Sequence, residues 1–254
     1  MTALTSAGHK RSGSRTGRRA LALLGAAALV LPLGVGTASA QEFAEPGNLC
    51  TIPAPPAQFA DRGGIAAPHI EAVDCAFAQK IVFGREGNVY QPAADMRRDQ
   101  MASVIARSLE AGGFTLPAAQ GTQYSDVQNG TVHADRISQL TQIGVIEGKT
   151  DGSYRPAEPV RRDQMASFVV RAANFAYEND ELRGNTSPGY VFPFVDVLQT
   201  NPHRDAIAAA DDLIGVTGGR TATMYDPASS TRRDQMASFV IRLLDVTAIP
   251  ESTQ

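Results

Sequence analysis

The heptapeptide Arg97-Arg98-Asp99-Gln100-Met101-Ala102-Ser103 recurs unchanged at Arg161–Ser167 and Arg232–Ser238. Each copy opens an apolar run with helical spacing. Met165, Phe168, Val169 and Ala172 stand at i, i+3, i+4 and i+7, as do Met236, Phe239, Val240 and Leu243. Met101, Val104, Ile105 and Leu109 form a thinner stripe in the first copy. The reading is therefore three helices, each starting at an arginine pair. That start is unusual, because a helix N-terminus carries partial positive charge and disfavours cations.

Working outward, the repetition extends well beyond the heptapeptide. Gly84, Gly148 and Gly219 are each followed at fixed spacing by Tyr90, Tyr154 and Tyr225, and then by Pro92, Pro156 and Pro227. Upstream, Phe59–Asp61 (FAD), Tyr124–Asp126 (YSD) and Phe194–Asp196 (FVD) open the three units, and His69, His133 and His203 follow. A second, shorter helix fits after each histidine: Ile137, Leu140 and Ile143 share a face before Gly144 and Gly148. Between the two helices, KTDGSYRPAEPV is turn chemistry. The expected units are 59–112, 124–175 and 194–246, with a short tail at 247–254. One helix pair cannot bury its apolar surface alone, so three are expected to form one body.

The first 40 residues read as a secretory leader. Five basic residues precede the run ALALLGAAALVLPLGV, and ASA stands before Gln41. Arg18-Arg19 leaves both the general and the twin-arginine export routes open. Removing the leader's five cations leaves 18 basic against 26 acidic residues, a net charge near −8. Such an acidic chain lacks the basic footprint of a nucleic-acid binder. Cys50 and Cys75, the only cysteines, read as one disulfide in an oxidising compartment. It would tie the Pro-rich segment 41–58 to the first unit and close a loop worth roughly 3 kcal/mol.

The opening aromatic-x-Asp, the helix ending GVIEG, the turn DGSYRP and the helix start RRDQMASF together resemble the S-layer homology domain, a wall-anchoring module of bacterial surface proteins. RRDQMASF looks most like the actinobacterial form. The resemblance runs from about Phe59 to Leu244 and implies a mainly α fold. Three helix-loop-helix repeats would pack around a pseudo-threefold axis, with the second helices in a central bundle. It implies binding of an anionic secondary cell-wall polymer in grooves between repeats, at the cell wall or surface. By match, the ligand residues would be Arg98, Arg162 and Arg233, with Asp61, Asp126, Asp196 and backbone near Gly84, Gly148 and Gly219. The tetrad usually written TRAE reads RRDQ here. Arg97, Arg161 and Arg232 thus replace a good N-cap residue, and the usual tryptophan is absent.

Two readings of the arginine pairs stay open. They can form an anion site with free helix N–H groups, guanidinium being suited to carboxylate or phosphate. Alternatively, one arginine of each pair bonds the opening aspartate of its own or a neighbouring unit. The histidines could bind zinc only by converging on the axis, and no metal or other cofactor is expected. The tyrosines fit either sugar stacking or capping of a loop against the core. No GxSxG, HExxH or phosphate loop is present, so no enzyme is expected. The expected function is non-catalytic wall binding. The alternatives are a protein–protein assembly module and, last, a wall hydrolase.

Overall fold

The computed structural model describes Cys50 and residues 54–177 and 186–247. The expected leader and residues 248–254 of the tail lie outside the described residues. Among the described residues there are six α-helices: α1 Ile70–Ala78, α2 Arg98–Ala111, α3 Ala134–Gln142, α4 Arg162–Ala176, α5 Arg204–Asp212 and α6 Arg233–Thr247. Short 3₁₀ turns occupy Arg62–Gly64, Ala67–His69 and Glu86–Asn88. The described residues contain isolated β-bridges but no strand, so the fold is mainly α as expected.

The apolar stripes become the core. Met101, Met165 and Met236 are fully buried, as are Ile105, Val169 and Val240 one turn further along. The short helices stop by local chemistry. After α3, the N–H of Gly144 bonds the Thr141 carbonyl and that of Val145 bonds the Leu140 carbonyl, with Gly144 at φ +73°. This pair of bonds is a Schellman cap, which needs a left-handed residue. The same pair follows α1, where Lys80 takes the left-handed position at φ +58°.

The long helices α2, α4 and α6 pack on one another pairwise. Each short helix packs on a long helix from a different repeat: α3 on α2, α5 on α4 and α1 on α6. A short helix and the long helix that follows it in the chain are therefore not a packed hairpin, and α6, the last long helix, receives α1, the first short one. Three backbone hydrogen bonds close the ring. Met96 donates to Thr231, Thr231 to Val160 and Val160 to Met96, each at 2.8 Å. All three residues are buried.

The same exchange satisfies the helix starts, whose first N–H groups have no intrahelical partner. Arg98 and Asp99 donate backbone N–H to the Glu158 and Pro156 carbonyls at 2.9 and 3.0 Å. Arg162 and Asp163 donate to Ser229 and Pro227, and Arg233 and Asp234 to Ala94 and Pro92. The third N–H of each helix bonds the aspartate before it, as Gln100 does to Asp99 at 2.7 Å. The expected free helix N–H groups are thus already occupied by protein, and anion chemistry falls to side chains.

Cys50 and Cys75 form a disulfide with Cα atoms 5.8 Å apart. It holds Cys50 on α1, where the Ala57 N–H donates to Asp74 Oδ1 at 2.8 Å and Arg62 pairs with the same carboxylate.

Candidate functional site

The sequence-expected site residues come together three times, always across a boundary between repeats. Arg98 meets the loop carrying Gly148 and Tyr154, Arg162 the loop with Gly219 and Tyr225, and Arg233 the loop with Gly84 and Tyr90. In each case Nε donates to the tyrosine carbonyl, at 2.8, 2.9 and 2.7 Å. Nη2 donates to the carbonyl just before the glycine, at 3.2, 3.0 and 3.2 Å. The tyrosine hydroxyl returns a bond to the arginine's own carbonyl, at 2.9, 3.2 and 2.8 Å. Each guanidinium lies 4.6–4.8 Å from that tyrosine's ring centre. These arginines are only 3–8% exposed. A buried charge is stable only when paired or hydrogen-bonded, and here carbonyls and a π face do that work. Burial lowers the pKa of the Arg162 and Arg233 guanidinium groups and raises the tyrosine hydroxyls, Tyr225 to about 12. The tyrosines thus lock the loops into the core.

The aspartates of the opening motif are loop staples. Asp61 accepts from the N–H groups of Tyr90 and Gln91, both at 2.7 Å. Asp126 does the same for Tyr154 and Arg155, and Asp196 for Tyr225 and Asp226. Gln91, Arg155 and Asp226 all have φ between +57° and +62°, so each staple holds a left-handed residue in place. The glycines make room for the opening aromatics. A Cβ on Gly148 would lie 2.3 Å from Tyr124, and one on Gly219 2.5 Å from Phe194.

The first arginines face outward, with side chains 37–49% exposed. Each pairs not with an opening aspartate but with the aspartate two residues on: Arg97 with Asp99, Arg161 with Asp163, Arg232 with Asp234. The first arginine therefore carries its own counter-ion within the helix start. The lost side-chain cap is partly replaced by glutamine, since Gln164 and Gln235 accept the Arg161 and Arg232 N–H groups at 3.2 and 3.1 Å. Arginine offers no acceptor, so this capping box works in one direction only.

Each histidine bonds a serine on another repeat's long helix, Nδ1 to Oγ at 2.8 Å: His69 with Ser238, His133 with Ser103, His203 with Ser167. They sit at three separate interfaces, and no metal-ligating cluster is found among the described residues. Burial lowers the pKa of all three.

Two cavities flank His133. One of about 350 Å³ is lined by Arg233, Gly84, Tyr90, Arg85, Arg107 and others. The other, about 450 Å³, includes Arg97, Asp99 and Asp126. Repeat reasoning missed Arg85, Arg107 and Phe83. A position-by-position comparison of what differs between repeats would have singled out Phe83, which stands where the other units have Glu147 and Gly218.

The amino-acid sequence is similar in part to bacterial surface proteins and to enzymes of several bacteria. Residues 123–166 match the S-layer homology domain. The chain is 24% identical over 178 residues to exoglucanase XynX of Acetivibrio thermocellus, covering 69% of this chain and 15% of that protein. It is 24% identical over 175 residues to an S-layer protein of Bacillus thuringiensis subsp. finitimus, covering 68% of this chain and 20% of that one. The surface-layer 125 kDa protein of Lysinibacillus sphaericus is 24% identical over 199 residues, covering 77% of this chain and 16% of that protein. The chain thus spans a fifth or less of the length of these relatives. No helix among the described residues is long and apolar enough to cross a membrane.

Proposed function

We propose that the chain is a non-catalytic wall-binding module that holds an anionic secondary cell-wall glycopolymer in grooves between its repeats, at the cell surface. The observation that carries this reading is the arginine–glycine–tyrosine constellation, built three times, with the one at Arg233, Gly84 and Tyr90 lining a cavity of about 350 Å³. The S-layer homology match supports it, as do relatives whose names are those of surface-layer proteins. The relatives named as glucanases align over a small part of their length, which fits a shared non-catalytic module. The recurrence of the same bonds at each boundary supports reading units 59–112, 124–175 and 194–246 as quasi-equivalent about one axis. The proposed ligand residues are Arg98, Arg162 and Arg233 at the groove floors. Arg97, Arg161 and Arg232 stand at the rims, with Asp61, Asp126, Asp196, Gly84, Gly148 and Gly219 shaping the loops.

The test is retention of the chain lacking residues 1–40 on purified cell walls, before and after the secondary polymer is stripped by acid. Retention on intact walls and loss on stripped walls supports the reading. Equal retention on both overturns it. Val191, Val195 and Leu198 are exposed apolar residues near the start of the third unit, and they favour the protein–protein alternative. That alternative predicts self-association or a protein partner, with no dependence on the polymer.

A further inference from the structure

The three arginine constellations share a framework but not their filling. Arg98 also lies 5.4 Å from the ring centre of Phe168, and Arg162 5.9 Å from that of Phe239. The residue at the same position in the first repeat is Val104. It lines the cavity of about 350 Å³ in which Arg233 sits. Where valine replaces phenylalanine the wall recedes, and the space left is at the lower end of the ~300–1,000 Å³ typical of small-ligand pockets.

The carboxylates around it also differ. Arg85, Arg107 and Arg233 line it, cations that recur at the same positions as Lys149, Arg171 and Arg98 and as Arg220, Arg242 and Arg162. No aspartate or glutamate among the described residues lines this cavity, whereas Arg171 and Arg220 pair with Glu147 and Asp226. The carboxylates that act on Arg233, Arg107 and His133 have partners: Asp61 holds the N–H groups of Tyr90 and Gln91, Glu110 pairs with Arg136, and Asp99 pairs with Arg97. Arg107 anchors on the Ile81 carbonyl at 2.7 Å and lies 4.9 Å from the ring centre of Phe83, which is 48% exposed. Burial lowers the pKa of Arg107 and of Arg233, and the neighbouring cations Arg136, Arg233 and Arg85 add to this. An anion would relieve that repulsion. In the second groove Phe83 is replaced by Glu147, whose carboxylate already pairs with Arg171 at 2.8 Å. In the third, the same position is Gly218, with no side chain to stack on.

We infer that the groove between the first and last repeats is this chain's acidic-sugar site, binding one ligand per chain. The sugar's anionic group sits among Arg85, Arg107 and Arg233, and the apolar face of its ring lies on Phe83. Val104 is the residue that opens the groove. This rests on the glycopolymer reading above and adds which groove is used, through which residues, and at what stoichiometry.

The test is calorimetric titration of the chain lacking residues 1–40 with polymer fragments released from purified walls and trimmed to a single repeating unit. The expected stoichiometry is one. Val104→Phe restores the residue found at the other two boundaries, so it folds, and it is expected to weaken binding about tenfold or more by filling the groove. Arg85→Gln, at an exposed position with no role in the core, is expected to weaken binding about fivefold. Two or three equivalent sites, or affinities of both variants within twofold of wild type, overturn this inference and leave wall binding standing. No binding by the wild-type chain, together with no polymer-dependent retention on walls, overturns both.

Discussion

Replacing Arg162 by Met asks whether the second arginine holds the fold. The guanidinium makes two charge-assisted bonds, to the Tyr225 carbonyl at 2.9 Å and the Gly218 carbonyl at 3.0 Å. Each such bond contributes about 1.5–3 kcal/mol. Contact with the Tyr225 ring at 4.8 Å adds about 0.5–2 kcal/mol. Methionine recovers part of this, because it packs the same stem and removes the cost of burying a charge, which is several kcal/mol for an unpaired ion. It leaves two carbonyls without their donor. The net expectation is a loss of about 2–4 kcal/mol. The assay is urea unfolding, read as a lower midpoint at unchanged slope. Arg162→Lys should lose nearly as much, since an ammonium cannot span both carbonyls as a fork does. Arg98 and Arg233 have the same partners in kind and should behave alike. A loss under about 0.5 kcal/mol for Arg162→Met would refute the argument, because it would mean that these bonds contribute nothing net to the folded state.

Thr231→Val should stabilise the protein by about 1 kcal/mol. The Thr231 hydroxyl is buried without a partner in the backbone ring where the other two positions are Met96 and Val160, and valine keeps its shape. Urea unfolding of that variant shows it directly, and a lower midpoint would count against a solvent-free ring. The histidines set a pH dependence. Their folded pKa values lie below the unfolded value of about 6.5, so the unfolded chain binds more protons there. Stability is full above that pH and falls as the pH drops through the lowered folded values. Asp234, Asp99 and Asp163 partly oppose the shift, while Arg232, Arg97 and Arg161 reinforce it. Unfolding midpoints between pH 7.5 and 5.5 should therefore decline. Replacing all three histidines by Asn should flatten that slope, and an unchanged slope would place the titration elsewhere.

Much of the framework was legible without coordinates because it is local. The apolar stripes of α2, α4 and α6 follow from spacing, and every stripe residue named is buried. Gly144 ends α3 because it can take φ +73°. The lysine that does the same after α1 was not legible, since Lys80 carries no turn signature. The sequence singled out the opening aspartates and the repeated glycines as ligand residues, and in the fold they act as a hydrogen-bond staple and as steric clearance. Sequence alone could not separate those roles from ligand contact, because a residue type kept in register three times signals only that something constrains it.

By itself the sequence determined the mainly helical content, the three copies of the RRDQMAS segment, the cysteine pair and the presence of two adjacent arginines at each long-helix start. Only the tertiary structure decided where those arginines go. The first of each pair turns to an aspartate two residues away, a local choice. The second reaches carbonyls on another repeat, with Arg233 closing the ring onto Phe83 and Tyr90. That closure places Val104 and Arg233 in one groove although they lie in opposite parts of the chain. The physical reason is that the short helices exchange partners between repeats. Three identical heptapeptides can specify three helices, but what each faces depends on loops and side chains brought in from elsewhere.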